Sequence, residues 1–241
     1  MENILYHFAR DYQGAPFVLF GSSHLISLAI VLLINLSWLP LRRHLNEKSR
    51  RTIRIVLAVI LLGGESSWHV WMLVTGQWII QIMLPLWLCS LSVWVSAFML
   101  LKRSQLAYEF LYFMGILGGS MALLTPDMGI YGFPHYRFIE FLMVHGALVT
   151  APLYMTLVEG LRPTWRSLGR VCLIMLPYLG LVTLINFRLG SNYLYTTGKL
   201  PTPSLLDWLS PWPYYIPEMV GLALLICVLL YLPFAMKDWR K

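Results

Sequence analysis

Charge is what this sequence has least of. Asp, Glu, Lys and Arg make up 12% of its 241 residues, about half the share of a typical soluble domain. That leaves too little polar surface for a soluble fold of this length. Acidic residues are scarcest, 11 against 18 basic ones. The three cysteines, Cys89, Cys172 and Cys227, lie inside apolar stretches, without metal-ligand spacing and without a disulfide framework. There is no H-E-x-x-H, no clear internal repeat, no low-complexity tract and no nucleotide or acyl-carrier site, so no cofactor is expected. Residues 1–17 lack the charged n-region, apolar h-region and cleavage site of a signal peptide. They mix charge with aromatics and are expected to lie at the membrane interface.

What is present is apolar length. Hydrophobic residues are 58% and mean hydropathy is +0.67. Seven segments reach the ~20 residues needed to cross a bilayer, at about 18–39, 53–74, 79–101, 106–124, 137–158, 170–187 and 212–236. The expected fold is therefore an all-α polytopic helix bundle, a single transmembrane domain over 1–241. Of the 18 basic residues, 14 fall in alternate loops and the tail, which carry Arg42, Arg43, Lys48, Arg50, Arg51, Arg54, then Lys102 and Arg103, then Arg162, Arg166 and Arg170, then Lys237, Arg240 and Lys241. This asymmetry predicts an outer N-terminus and a cytoplasmic C-terminus. The protein is expected to be integral to a membrane, with any site cavity in its outer half. A long outer loop over 188–211, full of Gly, Pro, Tyr and Trp, reads either as a lid over a cavity or as an interfacial anchor.

The third segment, IIQIMLPLWLCSLSVWVSAFMLL, carries Pro85, Cys89, Ser90 and Ser92. A proline frees a carbonyl one turn back and bends a helix. Cys89 follows four residues later. It is either a nucleophile beside a bend or a small apolar core residue.

Ionisable groups in a bilayer each need a reason to be there. His24, Glu65, His69, Cys89, Glu140 and His145 all fall within about ten residues of the outer ends of their spans, which at 1.5 Å per residue is one half of the membrane. This shared depth predicts one polar cavity on the outer side. Glu65 and His69 share a helix face at i, i+4, with Ser66 in the same turn. They pair as an orienting unit or as a hydrogen-bonded glue between helices. A thiol needs an adjacent base to ionise in a low-dielectric site, and histidine takes and returns such a proton. His145 is the candidate base for Cys89. The competing chemistry is a metal held by His24, Glu65, His69 and His145, for which the spacing is weak; no metal is expected.

Four segments, MLPLWLCSLSVW (83–94), HYRFIEFLMVHGAL (135–148), GSNYLY (190–195) and PSLLDWLSPWPYYI (203–216), resemble those of a bacterial integral membrane family typified by YwaF, related to eukaryotic transmembrane protein 164. The resemblance covers most of the spanning region and includes a Cys-to-His separation of 56 residues. It implies an acyltransferase that moves a fatty acyl chain between phospholipids through a cysteine acyl intermediate. It also implies that Cys89 is the nucleophile and His145 the base. Where the bacterial pattern has PLHLCS, this chain has Trp87, so an indole N–H stands in place of a ring nitrogen.

The expected reaction is a ping-pong transacylation. Cys89 attacks a phospholipid ester, and His145 serves the leaving lysolipid and then the acceptor. The oxyanion is held by backbone freed near Pro85, or by Asn192 or Tyr193. Ser90, Glu140 and the groups around them line the substrate site. The alternatives are a lipid hydrolase with the same dyad and a small-solute transporter using the His/Glu cluster.

Overall fold

The structure, a computed structural model, describes residues 4–199 and 205–238. Residues 1–3 of the expected interfacial segment, 200–204 of the expected outer loop, and Arg240 and Lys241 of the tail lie outside the described residues. Every regular element among the described residues is helical. The helices are α1 (Ser22–Leu41), α2 (Glu47–Val74), the single turn α3 (Ile80–Met83), α4 (Leu88–Lys102), α5 (Gln105–Leu124), α6 (Tyr136–Leu157), α7 (Trp165–Leu189) and α8 (Tyr215–Asp238).

Among the described residues, six helices are long and apolar enough to cross a membrane: α1, α2, α5, α6, α7 and α8. The protein is thus a polytopic helical membrane bundle. The outer surfaces of α1, α7 and α8 expose large apolar side chains, among them Ile26, Leu33, Leu173, Leu184 and Leu225. Such a surface suits hydrocarbon as its solvent, because each helix satisfies its own backbone.

The third expected span is the one the structure corrects. The stretch 79–101 is not one helix. The Leu84 backbone is extended (φ −69°, ψ 149°), the conformation that a following proline imposes. The ring of Pro85 leaves the helix without an N–H at that point. Helix resumes only at Leu88, with extended Trp87 as its N-cap. The fifteen residues of α4 measure ~22 Å, too short for the ~30 Å hydrocarbon core. The span is therefore discontinuous and α4 begins at membrane depth. Elsewhere the corrections are at the ends: α2 starts at Glu47, earlier than 53, and α7 runs from Trp165 to Leu189, beyond 170–187 at both ends.

The core is organised around α6, whose apolar window is 83% buried against 6% for α1. It packs on α1, α2, α4 and α5. Small residues set the closest approach, as expected where no hydrophobic force drives helices together. A Cβ on Gly64 of α2 would collide with a methyl of Val144 on α6. Midway, α5 contains a widened π turn over Leu111–Gly115.

One end of the bundle is tied by arginine–carboxylate pairs. Glu159 accepts from Arg54 and, at 2.9 Å, from Arg103. Glu109 accepts from Arg170 at 2.7 Å. Arg50 donates to the Val158 carbonyl at 2.9 Å. This is the end that carries the basic loops. At the opposite end, the N-terminal segment (a 3₁₀ turn over Ile4–Phe8) docks on the 125–135 loop and the tops of α2 and α6. Trp71 donates to Phe8 O at 2.8 Å and Tyr131 to Arg10 O at 2.9 Å. His135, the N-cap of α6, contacts Ala9 O at 3.1 Å.

Candidate active site

The non-helical backbone between α3 and α4 would be costly at membrane depth if its polar groups were bare. Side chains from neighbouring segments satisfy them. The Tyr193 hydroxyl donates to Ile80 O at 2.6 Å and accepts from the Leu84 N–H at 2.9 Å. Tyr178 donates to Leu86 O at 3.0 Å, and the Trp87 indole to Ile82 O at 2.9 Å. Tyr193 and Trp87 are thus the clamp that holds the break open.

The break gives Cys89 its setting. Trp87 is the N-cap of α4, so Leu88, Cys89 and Ser90 form its first turn. The N–H groups of a first turn have no intrahelical acceptor, and here no side chain caps them. The earliest ladder bond is Leu91 N–H to Trp87 O at 2.9 Å. Cys89 therefore sits at the positive end of a helix, among uncapped backbone donors.

His145 lies on α6, half-buried. Its Nδ1 is 2.8 Å from Phe141 O. A carbonyl only accepts, so Nδ1 carries the proton and Nε2 presents a lone pair. The imidazole also stacks on the Phe141 ring, with centroids 3.9 Å apart, which fixes its plane.

The Cys89 side chain and the backbone of His145 lie against neighbouring glycines of α5. A Cβ on Gly118 would lie 3.6 Å from the Cys89 sulfur, and one on Gly119 would lie 3.3 Å from the His145 carbonyl oxygen. Depth agrees. Counted from Lys102, Leu157 and Arg54 at the basic end, Cys89, His145 and Glu65 stand ~17–20 Å up their helices at 1.5 Å per residue.

Glu65 is 6% exposed and close enough to Cys89 and to Glu140 to act on both electrostatically. Its Oε1 is 3.7 Å from His69 Nε2, beyond hydrogen-bonding distance, and has no hydrogen-bond partner. His69 is oriented from its other side, where the Trp78 indole donates to Nδ1 at 3.1 Å. Beside this pair runs a groove of about 360 Å³ lined by Glu65, Ser66, His69, Pro85 and Trp94. Glu140, also buried, takes an Arg137 N–H at 2.6 Å. The Arg137 guanidinium lies over the Trp68 ring at 3.7 Å.

His24 stands apart. Its Nδ1 accepts from the Phe20 N–H at 3.0 Å and its Nε2–H donates to Leu123 O at 2.8 Å, so one nitrogen holds the turn before α1 and the other joins α1 to the end of α5. Among the described residues, no group of three His, Cys, Asp or Glu is arranged to hold a metal. Asn192 is engaged inside its own loop. Its oxygen takes the Thr197 N–H at 3.0 Å and its amide donates to Gly198 O at 2.8 Å.

Three contributors escape a reading by composition. Asn186 organises the loop above the site. Its amide donates to Tyr193 O and Thr196 Oγ1, and its oxygen accepts from Ser191 Oγ and the Tyr193 N–H, all within 2.7–2.9 Å. Consecutive Leu194 and Tyr195 then adopt left-handed backbone (φ 56° and 55°), which is strained for non-glycine residues. That turn lays the Tyr195 ring on Trp87, centroids 5.2 Å apart. Burial pushes the Tyr195 phenol up to about 12, with the charges of Asp127 and Cys89 adding to the rise, so the phenol stays neutral. The third contributor is the Gly118–Gly119 pair. Two adjacent glycines in an apolar span were the only sequence signal of that approach.

A family model, that of the TMEM164 family, matches residues 19–231. No curated protein matches the chain, and no solved structure does.

Proposed function

The chain belongs to the TMEM164 family, and from that premise we propose that it is a membrane-embedded acyltransferase that carries a fatty acyl chain on Cys89. The observation that carries this reading is a thiol in an uncapped first turn set against Gly118, with the helix that carries His145, whose Nε2 presents a lone pair, packed through its backbone on the neighbouring Gly119.

In the first half-reaction, His145 Nε2 takes the Cys89 proton and the thiolate attacks an ester carbonyl of a glycerophospholipid. The N–H groups of Cys89 and Ser90 receive the oxyanion, where fixed dipoles act most strongly. The carbon–oxygen ester bond then breaks. The departing lysolipid oxygen takes the proton back from His145, leaving a thioester. An acceptor lysolipid discharges it in the second half, so one hard step becomes two easier ones. The Tyr193-clamped break and the Tyr195 turn shield the site from the aqueous side. The basic loops favour a cytoplasmic basic end, and in that orientation the site lies in the outer half, toward the ester carbonyls of that leaflet. The resemblance to the bacterial YwaF pattern, from which Trp87 departs, favours a bacterial cytoplasmic membrane.

The test is to reconstitute the protein in phosphatidylglycerol–phosphatidylethanolamine vesicles with a labelled diacyl phospholipid and a lysolipid, and to follow label transfer by mass spectrometry. Transfer in wild type and none in Cys89→Ser supports the reading. Label released as free fatty acid at the same rate with and without lysolipid makes the protein a hydrolase instead.

The discontinuous α3–α4 span is also the feature that favours a small-solute transporter, since broken helices build such sites. That reading takes over if lipids are left unchanged and solute flux depends on Glu65.

A further inference from the structure

Resting on the acyl-enzyme reading, we propose that Glu65 is the base of the second half-reaction. It receives the proton of an acyl-acceptor hydroxyl that arrives along the groove between α2 and α4. His145 then serves only the first half.

The argument starts from an orphan. Glu65 is 94% buried and its Oε1 finds no hydrogen-bond donor. A buried acceptor without a donor is expensive. The nearest candidate, His69 Nε2, stands off at 3.7 Å and is held there, because Trp78 fixes the ring from its Nδ1 side. A ligand hydroxyl would supply the missing donor. Space for it exists, since Glu65 and His69 form one wall of the groove of about 360 Å³. Pro85 and Trp94 form the other wall, and Trp94 is half-exposed on the flank of the bundle. A groove opening on the apolar flank takes its ligand from the bilayer, so the ligand is an amphiphile whose hydroxyl reaches the level of Glu65.

Position relative to the thiol completes the case. Glu65 acts on Cys89 electrostatically from α2, across a groove that Pro85, four residues before Cys89, also lines, whereas His145 is carried by α6. The two bases thus come from different helices. The proton balance closes. The hydroxyl oxygen attacks the thioester carbonyl and its proton passes to Glu65. The carbon–sulfur bond breaks, and the Cys89 thiolate recovers the proton from Glu65. Product ester, free thiol and carboxylate remain, with no other reactant needed.

The experiment separates the two halves. Full-length protein carrying Cys172→Ser and Cys227→Ser is loaded at Cys89 with oleate from oleoyl p-nitrophenyl ester, which bypasses the lipid donor. Thioester loss is then followed with 1-oleoyl lysophosphatidylglycerol and, separately, with hydroxylamine, a nucleophile that needs no base. The expected result is that Glu65→Gln discharges to lysolipid at least 10-fold more slowly than the parent and to hydroxylamine at the same rate. Equal lysolipid rates overturn the assignment. Equal slowing with both nucleophiles also overturns it, because that marks a structural role. A parent that loads but never discharges to lysolipid sinks the acceptor groove. Failure of the parent to take acyl chains from phospholipid, measured separately, counts against the transferase reading itself.

Discussion

The sulfur of Cys89 lies 3.6 Å from the point where a side chain on Gly118 would begin. That gap is ordinary van der Waals distance for one methyl and too little for more. Gly118→Ala is expected to keep most activity, while Gly118→Val pushes Leu88 and Cys89 away and lowers activity at least 10-fold. Overpacking of this kind costs about 1–3 kcal/mol. Thermal melting beside the transfer assay checks both parts; full activity in Gly118→Val would show that the glycine does not shape the site.

Tyr195 is expected to matter through its hydroxyl. Tyr195→Phe keeps the ring on Trp87 and removes only the donor. Acyl-enzyme formation should slow by about 10-fold, the scale of one lost hydrogen bond of ~1–1.5 kcal/mol. Alkylation of Cys89 by iodoacetamide should stay at the wild-type rate. A wild-type acylation rate would leave Tyr195 as packing alone.

Asn186 should hold the lid. Asn186→Leu strands four partners, among them the Tyr193 N–H and carbonyl, and each buried orphan costs about 1–3 kcal/mol. The expected outcome is faster proteolysis within 190–199 and loss of transfer. A loop as resistant as wild type would contradict this role.

His135 gives the fold an acid limit. Burial is the main cause that holds its pKa below the ordinary value of ~6.5. Above that value neither the folded nor the unfolded chain protonates it. As pH falls below ~6.5 the unfolded chain binds a proton that the folded one refuses, so stability drops with falling pH. A proton on Nδ1 also ends its acceptance of the Arg137 N–H. Melting temperature should decline from pH 7 to 5, and less so in His135→Asn, which keeps an N-cap acceptor. Parallel declines in the two proteins would remove His135 as the cause.

Much of the architecture was legible in the sequence, because the bilayer admits few solutions and apolar length reads out directly. Six of the seven expected spans exist as long helices. The seventh was misread in kind. Pro85 announced a bend, yet a complete break requires outside groups to satisfy Ile80, Leu84 and Leu86, and these come from Tyr193 and Tyr178, about 100 residues away. No local pattern reports that. Depth counting groups Cys89, Glu65, His69, Glu140 and His145, and along their helices Cys89, Glu65 and His145 do stand at similar heights. It also swept in His24, because depth does not tell which way a side chain faces, and both nitrogens of His24 are spent on Phe20 and Leu123. Asn192 and Tyr193 were noticed for their amide and hydroxyl. The strained turn that aims the next tyrosine, Tyr195, is visible only in the backbone.

The central claim is that Cys89 carries an acyl chain with His145 as the base that releases the thiolate. Its most direct test is intact-protein mass after incubation with dioleoyl phospholipid vesicles, for wild type, Cys89→Ala and His145→Ala. The account predicts one added oleoyl mass in wild type, none in Cys89→Ala, and formation at least 100-fold slower in His145→Ala, within the usual range for loss of a general base. An unmodified wild-type mass with every phospholipid tried, or an acyl mass that persists in Cys89→Ala, would contradict it.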